Sequence, residues 1–235
     1  MNSDSNLSPD SAPPRLEGIQ VPPSLREVAL DSIKRAIMDN TLQPGEIINE
    51  GILAKSLGIS KTPVHEALLD LAARGFVTLL PRKGVQINVL TLEDIKNLYE
   101  FRRAIETTII RRITKNLSDD DIIQIEDVHG QALKATKKDD RLAYIKADRQ
   151  FHHLLATLSC NTYMISALTN VRDLIDWMGM KALVRDQRIH EVNQEHIDLI
   201  EKLKKRDVSA AVKSMAQHIL LTEKNVLAWK QEKSS

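Results

Sequence analysis

Four residues in the C-terminal half have types suited to holding a metal ion. Asp148 and His152 stand four apart, so on a helix both side chains project from one face, and His196 and His218 follow farther along the chain. One carboxylate and three imidazoles make a ligand set for Zn²⁺ foremost, or for Ni²⁺ or Mn²⁺. Spacing alone leaves the ordinary alternative open, because such an Asp–His pair is common and isolated histidines more often satisfy core or surface hydrogen bonds. His153 adjoins His152 but points about 100° away around a helix, toward solvent or another helix. His129 and His190 have no partner at ligand spacing and read as surface residues. Arg102 lies inside an amphipathic stripe, where it could clamp a carboxylate bidentately or pair with Glu106 at i+4. Asn161, at a helix start, could cap that helix or line a pocket.

The elements that must position these residues are helices. After Gly84 the chain has only two glycines, Gly130 and Gly179, and no proline, whereas Pro44, Gly45, Gly51, Gly58, Pro63, Gly75, Pro81 and Gly84 crowd the stretch before it. This shift marks a boundary near residue 90. Residues 1–23, rich in Ser, Pro, Asp and Asn, read as a disordered tail, 24–90 as a compact turn-rich domain, and 91–235 as a helical one. Helices are expected at 92–116, 119–138, 140–159, 161–184, 190–205 and 207–230, the first opened by a Thr91–Asp94 capping box. Antiparallel helices on short connections form a bundle. The fold class is thus mainly α, a winged helix-turn-helix domain followed by an all-helical antiparallel bundle.

In the N-terminal part, Leu25–Met38 carries a helical apolar stripe, and 50–57 is a short helix stopped by Gly58. Ser60 is placed to cap a third helix with Pro63 in its first turn. Phe76–Leu80 and Val85–Leu90 form a hairpin with the basic tip Pro81-Arg82-Lys83-Gly84. Two helices around a Gly-Ile-Ser turn, backed by a hairpin, make a winged helix-turn-helix. Such a domain places the N-terminal end of its second helix in the major groove. Here that end offers Ser60, Lys61, Thr62, His65 and Glu66. Thr62 and the free backbone N–H groups suit phosphate, Lys61 adds a point charge, and His65 and Glu66 point where base edges would lie. Arg74, Arg82 and Lys83 could hold flanking phosphates or enter the minor groove. A winged helix that binds only protein is the alternative.

Composition narrows the choice. Across 235 residues, 42% hydrophobic and 28% charged suit a globular chain with a sizeable core. Aromatics at 3% argue against base-stacking single-strand binders. The single cysteine, Cys160, excludes an internal disulfide and fits a reducing cytoplasm. No apolar run nears the roughly 18 residues of a membrane span, and the N-terminus lacks a signal-peptide pattern, so the expectation is cytoplasmic with no membrane partner. Net charge is only +1, and residues 21–90 carry eight basic and seven acidic groups. A bulk polyelectrolyte binder is excluded, but a reader with a few placed contacts is not.

The run Leu57-Gly-Ile-Ser-Lys-Thr-Pro-Val-His-Glu-Ala-Leu68, with Leu42-Gln-Pro-Gly-Glu46, Gly75, Pro81 and Gly84 around it, resembles the DNA-binding domain of the GntR family of bacterial regulators. The family pattern usually has Arg where this chain has Lys61 and His65, which puts the family's usual operator in question, since neither residue has the rigid bidentate fork that Arg offers to guanine or phosphate. Residues 91–230 resemble the helical effector domain (FCD type) of the FadR-like subgroup, through Leu98–Glu106, Asp148-Arg-Gln-Phe-His152, Asn161, Glu195-His196 and His218. That resemblance implies a metal held by Asp148, His152, His196 and His218 at the floor of an effector cavity, with Arg102 and Asn161 as candidate effector residues. It implies a ligand-responsive regulator, read as a repressor, whose homodimer binds a near-palindromic double-stranded DNA operator and whose effector is a small carboxylic or sugar acid. The rival readings are a helical metal-dependent hydrolase, with Glu195 cast as general base, and a protein-binding scaffold. Against the hydrolase stands the absence of HExxH, GxSxG and a phosphate-cradling glycine loop.

Overall fold

The computed structural model describes residues 22–182 and 186–234. The expected tail therefore falls almost wholly outside the described residues, as do residues 183–184 of the expected fourth bundle helix. The first elements are α1 (Leu25–Met38), β1 (Ile47–Ile48), α2 (Glu50–Leu57), α3 (Lys61–Ala73), β2 (Val77–Leu80) and β3 (Gly84–Ile87). Ser24 opens α1 with a capping box, its side chain accepting from the Glu27 N–H while the Glu27 carboxylate accepts from the Ser24 N–H at 2.8 Å, an arrangement worth about 1 kcal/mol. The buried stripe Ala29, Leu30, Ile33 and Ile37 of α1 packs with Val64, Ala67, Leu68 and Leu71 of α3 in one apolar core. α2 ends on Gly58 at φ 68°, a left-handed stop. Ser60 sits at the N-cap position of α3 but its hydroxyl makes no capping bond, which corrects the expected cap and leaves that oxygen exposed at the helix start.

The expected hairpin is part of a three-stranded antiparallel sheet of order β1-β3-β2. β1 adds Ile47 opposite Gln86 and Ile48 opposite Val85; two residues are too few to show an alternating pattern in sequence. Gly84 closes the wing opposite Leu80. Its φ is +115°, and a Cβ there would lie 2.4 Å from the Ile48 carbonyl oxygen. Gly84→Ala is therefore expected to cost about 2 kcal/mol or more, read as a lower midpoint in denaturant unfolding. A loss below about 0.5 kcal/mol would mean that β1 can yield to the added carbon.

The bundle consists of α4 (Leu92–Ile113), α5 (Asp119–Lys137), α6 (Arg141–Leu158), α7 (Thr162–Ala182), α8 (Asp186–Lys204) and α9 (Val208–Ser234). Capping boxes at Thr91–Asp94 and Ser118–Asp121 start α4 and α5. α8 begins at Asp186, so residues 186–189, expected as a break, are helical; they contain neither Gly nor Pro to stop a helix. Ile109, Ile110, Ile113, Ile125, Phe151, Leu155, Leu199, Leu203, Met215 and Ile219 fill the bundle core. α7 also reaches the winged helix: Trp177 is buried in the N-terminal core, tilted against Phe76 at 5.6 Å between ring centroids. No described helix is long and apolar enough to cross a membrane.

Candidate metal centre and nucleic-acid interface

α6 presents Asp148 and His152 on one face, α8 presents His196, and α9 presents His218. All three imidazoles are buried, and their ligand nitrogens lie within 4.8 Å of one another. Asp148 Oδ1 is 3.9 Å from His152 Nε2 and 3.8 Å from His196 Nε2. Donors around a zinc ion at about 2.1 Å stand roughly 3–3.5 Å apart, so closing the set asks for a small inward shift.

The outer ring nitrogens set the tautomers. His152 Nδ1 is held in a short hydrogen bond by Glu106 Oε2, and His218 Nδ1 lies 2.7 Å from Glu195 Oε2. An ionised carboxylate only accepts, so each Nδ1 carries the proton and each Nε2 keeps its lone pair. Arg102 Nη2 donates to His152 Nε2 at 3.1 Å, as that assignment requires. Nε2 of His196 and of His218 is buried with no hydrogen-bond partner among the described residues. Orphaned buried nitrogens beside a carboxylate oxygen are costly unless a cation stands among them. The carboxylate behind each of two imidazoles is also the arrangement that orients metal-binding histidines. The residues present therefore fit a divalent metal ion.

Electrostatics keep the donors in ligand form. Burial pushes His152 down to about 4 despite the opposing charge of Glu106. Burial, then the charge of His218, drives His196 well below its ordinary value. Burial would raise Asp148, but the charge of Arg172 foremost opposes it, and the carboxyl is held well below the usual range. Glu106 behaves alike under His152 and Arg102.

Beside the cluster lies a small cavity of about 50 Å³, lined by Tyr99, Arg102, Tyr144, Asp148, Arg172 and His218 among others. The hydroxyls of Tyr99 and Tyr144 and Nη1 of Arg172 are buried without hydrogen-bond partners among the described residues. Burial raises both phenols, Tyr144 the further, so they stay protonated donors. Arg102 combines both readings open in the sequence, since its Nε pairs with Glu106 at 2.6 Å and its side chain lines the cavity. Asn161 instead caps α7, its Oδ1 accepting from the N–H groups of Tyr163 at 3.1 Å and Met164 at 3.2 Å, and it does not line this cavity.

His153 and His190 are exposed, as expected. His129 is not a surface residue: it is 3% exposed, with its ring 5.7 Å from His196 and 6.1 Å from Phe151. The helical stripe Ile122, Ile125, Ala132 passes through it and was the signal for burial. Sequence reasoning also missed Arg172, and it assigned Glu106 and Glu195 no part in holding imidazoles.

On the winged helix, Ser60, Lys61, Thr62, His65 and Glu66 are exposed at the start of α3, with Arg82 and Lys83 exposed in the wing turn. Lys61, His65 and Arg82 line one groove between α3 and the wing, together with Glu50, whose Oε1 is 3.1 Å from His65 Nδ1. Arg74 stands apart: it caps the far end of α3, and its Nη1 is 3.6 Å from Asp173 on α7.

A winged helix with an exposed basic groove, joined to a helical bundle around a charged cavity, defines a DNA-binding regulator with a sensor domain. Residues 25–87 match the bacterial regulatory proteins of the gntR family, and residues 97–221 match the FCD domain. The chain belongs to the GntR family and is a bacterial transcriptional regulator with an FCD domain. It is 29% identical over 191 residues to the HTH-type transcriptional regulator YdhC of Bacillus subtilis (81% of this chain, 84% of that one). It is 25% identical over 205 residues to the HTH-type transcriptional repressor RspR of Escherichia coli (86% and 89%). Its fold superimposes on that of E. coli McbR/YncC with a TM-score of 0.73 at 20% identity, covering 89% of this chain and 99% of the other. These families and relatives are regulators, not enzymes.

Proposed function

We propose that the chain is a homodimeric repressor that binds an operator through residues 24–90 and releases it when a small carboxylic or sugar acid binds beside a metal ion in residues 91–235. The observation that carries this reading is the convergence of three buried imidazoles and Asp148 beside a cavity that Asp148 and His218 help to line and whose wall includes Arg102, Arg172 and the tyrosines Tyr99 and Tyr144. Asp148, His152, His196 and His218 would hold the metal, zinc by preference, and leave positions for anionic oxygen. Bound there, the metal would supply a cationic anchor for a carboxylate. The lone pair of His152 can face either the Arg102 guanidinium or a metal, so metal binding frees Arg102 donors for an acid group. Tyr99, Tyr144 and Arg172 can donate to the rest of the molecule. A repressor role is supported by the likeness to RspR, itself a repressor.

Thermal-shift measurement of the full chain against small carboxylic acids, with and without chelator, tests the sensor half. A true effector raises the melting temperature by mass action, and chelation abolishes the rise. Shifts indifferent to chelator would disconnect effector from metal.

For the DNA half, Ser60, Lys61 and Thr62 meet phosphate at the start of α3, His65 and Glu66 face base edges, and Arg82 and Lys83 extend the contact from the wing. Lys61→Ala is expected to weaken binding to all duplexes and to lower the slope of log affinity against log salt by about 1. An unaltered slope would show that Lys61 touches no phosphate.

A further inference from the structure

α7 presents two adjacent buried stripes with different partners. Arg172 and Asp176 face the metal cluster, and Asp173 and Trp177, one step around the helix, face the winged helix. An unbroken series of ion pairs joins the stripes. Asp148, which offers Oδ1 to the imidazoles, binds Arg172 through Oδ2. Arg172 Nε donates to Asp176 at 2.9 Å, Arg149 Nε donates to Asp176 at 2.5 Å, and Arg149 Nη2 donates to Asp173 at 2.6 Å. Asp173 in turn accepts from Lys34 of α1 at 3.1 Å and stands 3.6 Å from Arg74 at the end of α3. Asp173 and Asp176 are nearly buried, so these pairs are poorly screened and respond to a change in any member.

We infer that α7 transmits the state of the metal centre to the recognition helix, with Asp148 as the sensing end of the series and Lys34 and Arg74 as its contacts on the winged helix. The inference rests on the metal reading above. A cation at Asp148 Oδ1 competes with Arg172 for the same carboxylate, which loosens the hold of Arg172 on α6 and alters its share of Asp176. Arg149 and Asp173 then readjust, and α7 shifts relative to α1 and the C-terminal end of α3. Trp177 sits on the moving helix with its ring inside the winged-helix core, so its surroundings report the shift. This gives metal and DNA a shared two-state element, which is what coupling between sites requires.

The test uses the full chain with Trp229→Phe, which leaves Trp177 as the single tryptophan. Zn²⁺ alone is titrated, Trp177 emission is followed, and bound zinc is measured separately by equilibrium dialysis. Zinc has no quenching of its own, being closed-shell and redox-silent. The expected result is an emission change that saturates together with bound zinc. In Lys34→Met/Arg74→Met, zinc binds within about threefold of the parent affinity but the emission amplitude falls by at least half. Asp173→Asn, which keeps the shape of the contact, behaves the same way and guards against a folding failure of the double variant. Zinc binding with no change at Trp177, or full amplitude in both variants, overturns the relay while leaving the metal reading intact. No zinc binding in the parent chain overturns the metal reading and the relay with it.

Discussion

Zinc content is expected to fall from about one ion per chain to near zero at micromolar metal in His196→Ala and in His218→Ala. Each substitution removes a proposed ligand whose Nε2 is buried among the others without a hydrogen-bond partner among the described residues. Removing a residue that merely orients a ligand costs 10–100-fold in affinity, so losing a ligand should cost at least about 100-fold. Glu195→Gln should fall in the smaller range, because Glu195 holds His218 through Nδ1 and is itself gripped by Arg188 at 2.5 and 3.0 Å. The exposed His153 and His190 are the controls, and their alanine variants should keep their zinc. Unchanged metal content in both His196→Ala and His218→Ala would remove the metal centre.

Trp177→Ala is expected to destabilise the chain by about 3–5 kcal/mol, the usual cost of truncating a large buried aromatic. Trp177 is 3% exposed, and it packs with Phe76 in a core otherwise built from α1, α2, α3 and the sheet. The loss should appear in denaturant unfolding as a lower midpoint, with the winged helix melting ahead of the bundle. Trp177→Phe should recover most of it by refilling the space. A loss under about 1 kcal/mol would mean that the winged-helix core closes without help from α7.

The residues of the candidate metal site were legible in the sequence because one pair shares a helix. The i, i+4 spacing of Asp148 and His152 is written along α6, and His196 and His218 lie on helices whose periodicity is plain. What escaped were groups whose meaning depends on packing between helices. Glu106 looks like a partner for Arg102 at i+4, which it is, but its second oxygen reaches His152 from 46 positions away. Arg172 pairs locally with Asp176, and nothing in the run of α7 says that its other end meets Asp148 on α6. His129 was misplaced because a histidine on an apolar stripe was judged by its lack of ligand spacing instead of by the stripe. The helix-turn-helix and the hairpin were readable from caps, glycines and alternation, whereas β1 was too short to announce itself. Arg74 was grouped with the wing arginine by charge alone; its place at the far end of α3 became visible only once the helix had a length and α7 a position.

The short strand β1 immediately precedes α2, and its pairing with β3 puts the Ile48 carbonyl against Gly84. The chain that enters the helix-turn-helix is thus tied to the tip of the wing. The basic tip and the start of α3 are held like the jaws of a caliper set to one width. On the proposed DNA-binding reading, this tie would limit how far the wing could swing to meet an altered operator. On the proposed reading, operator preference would then rest on the side chains carried by that frame, Lys61 and His65 among them.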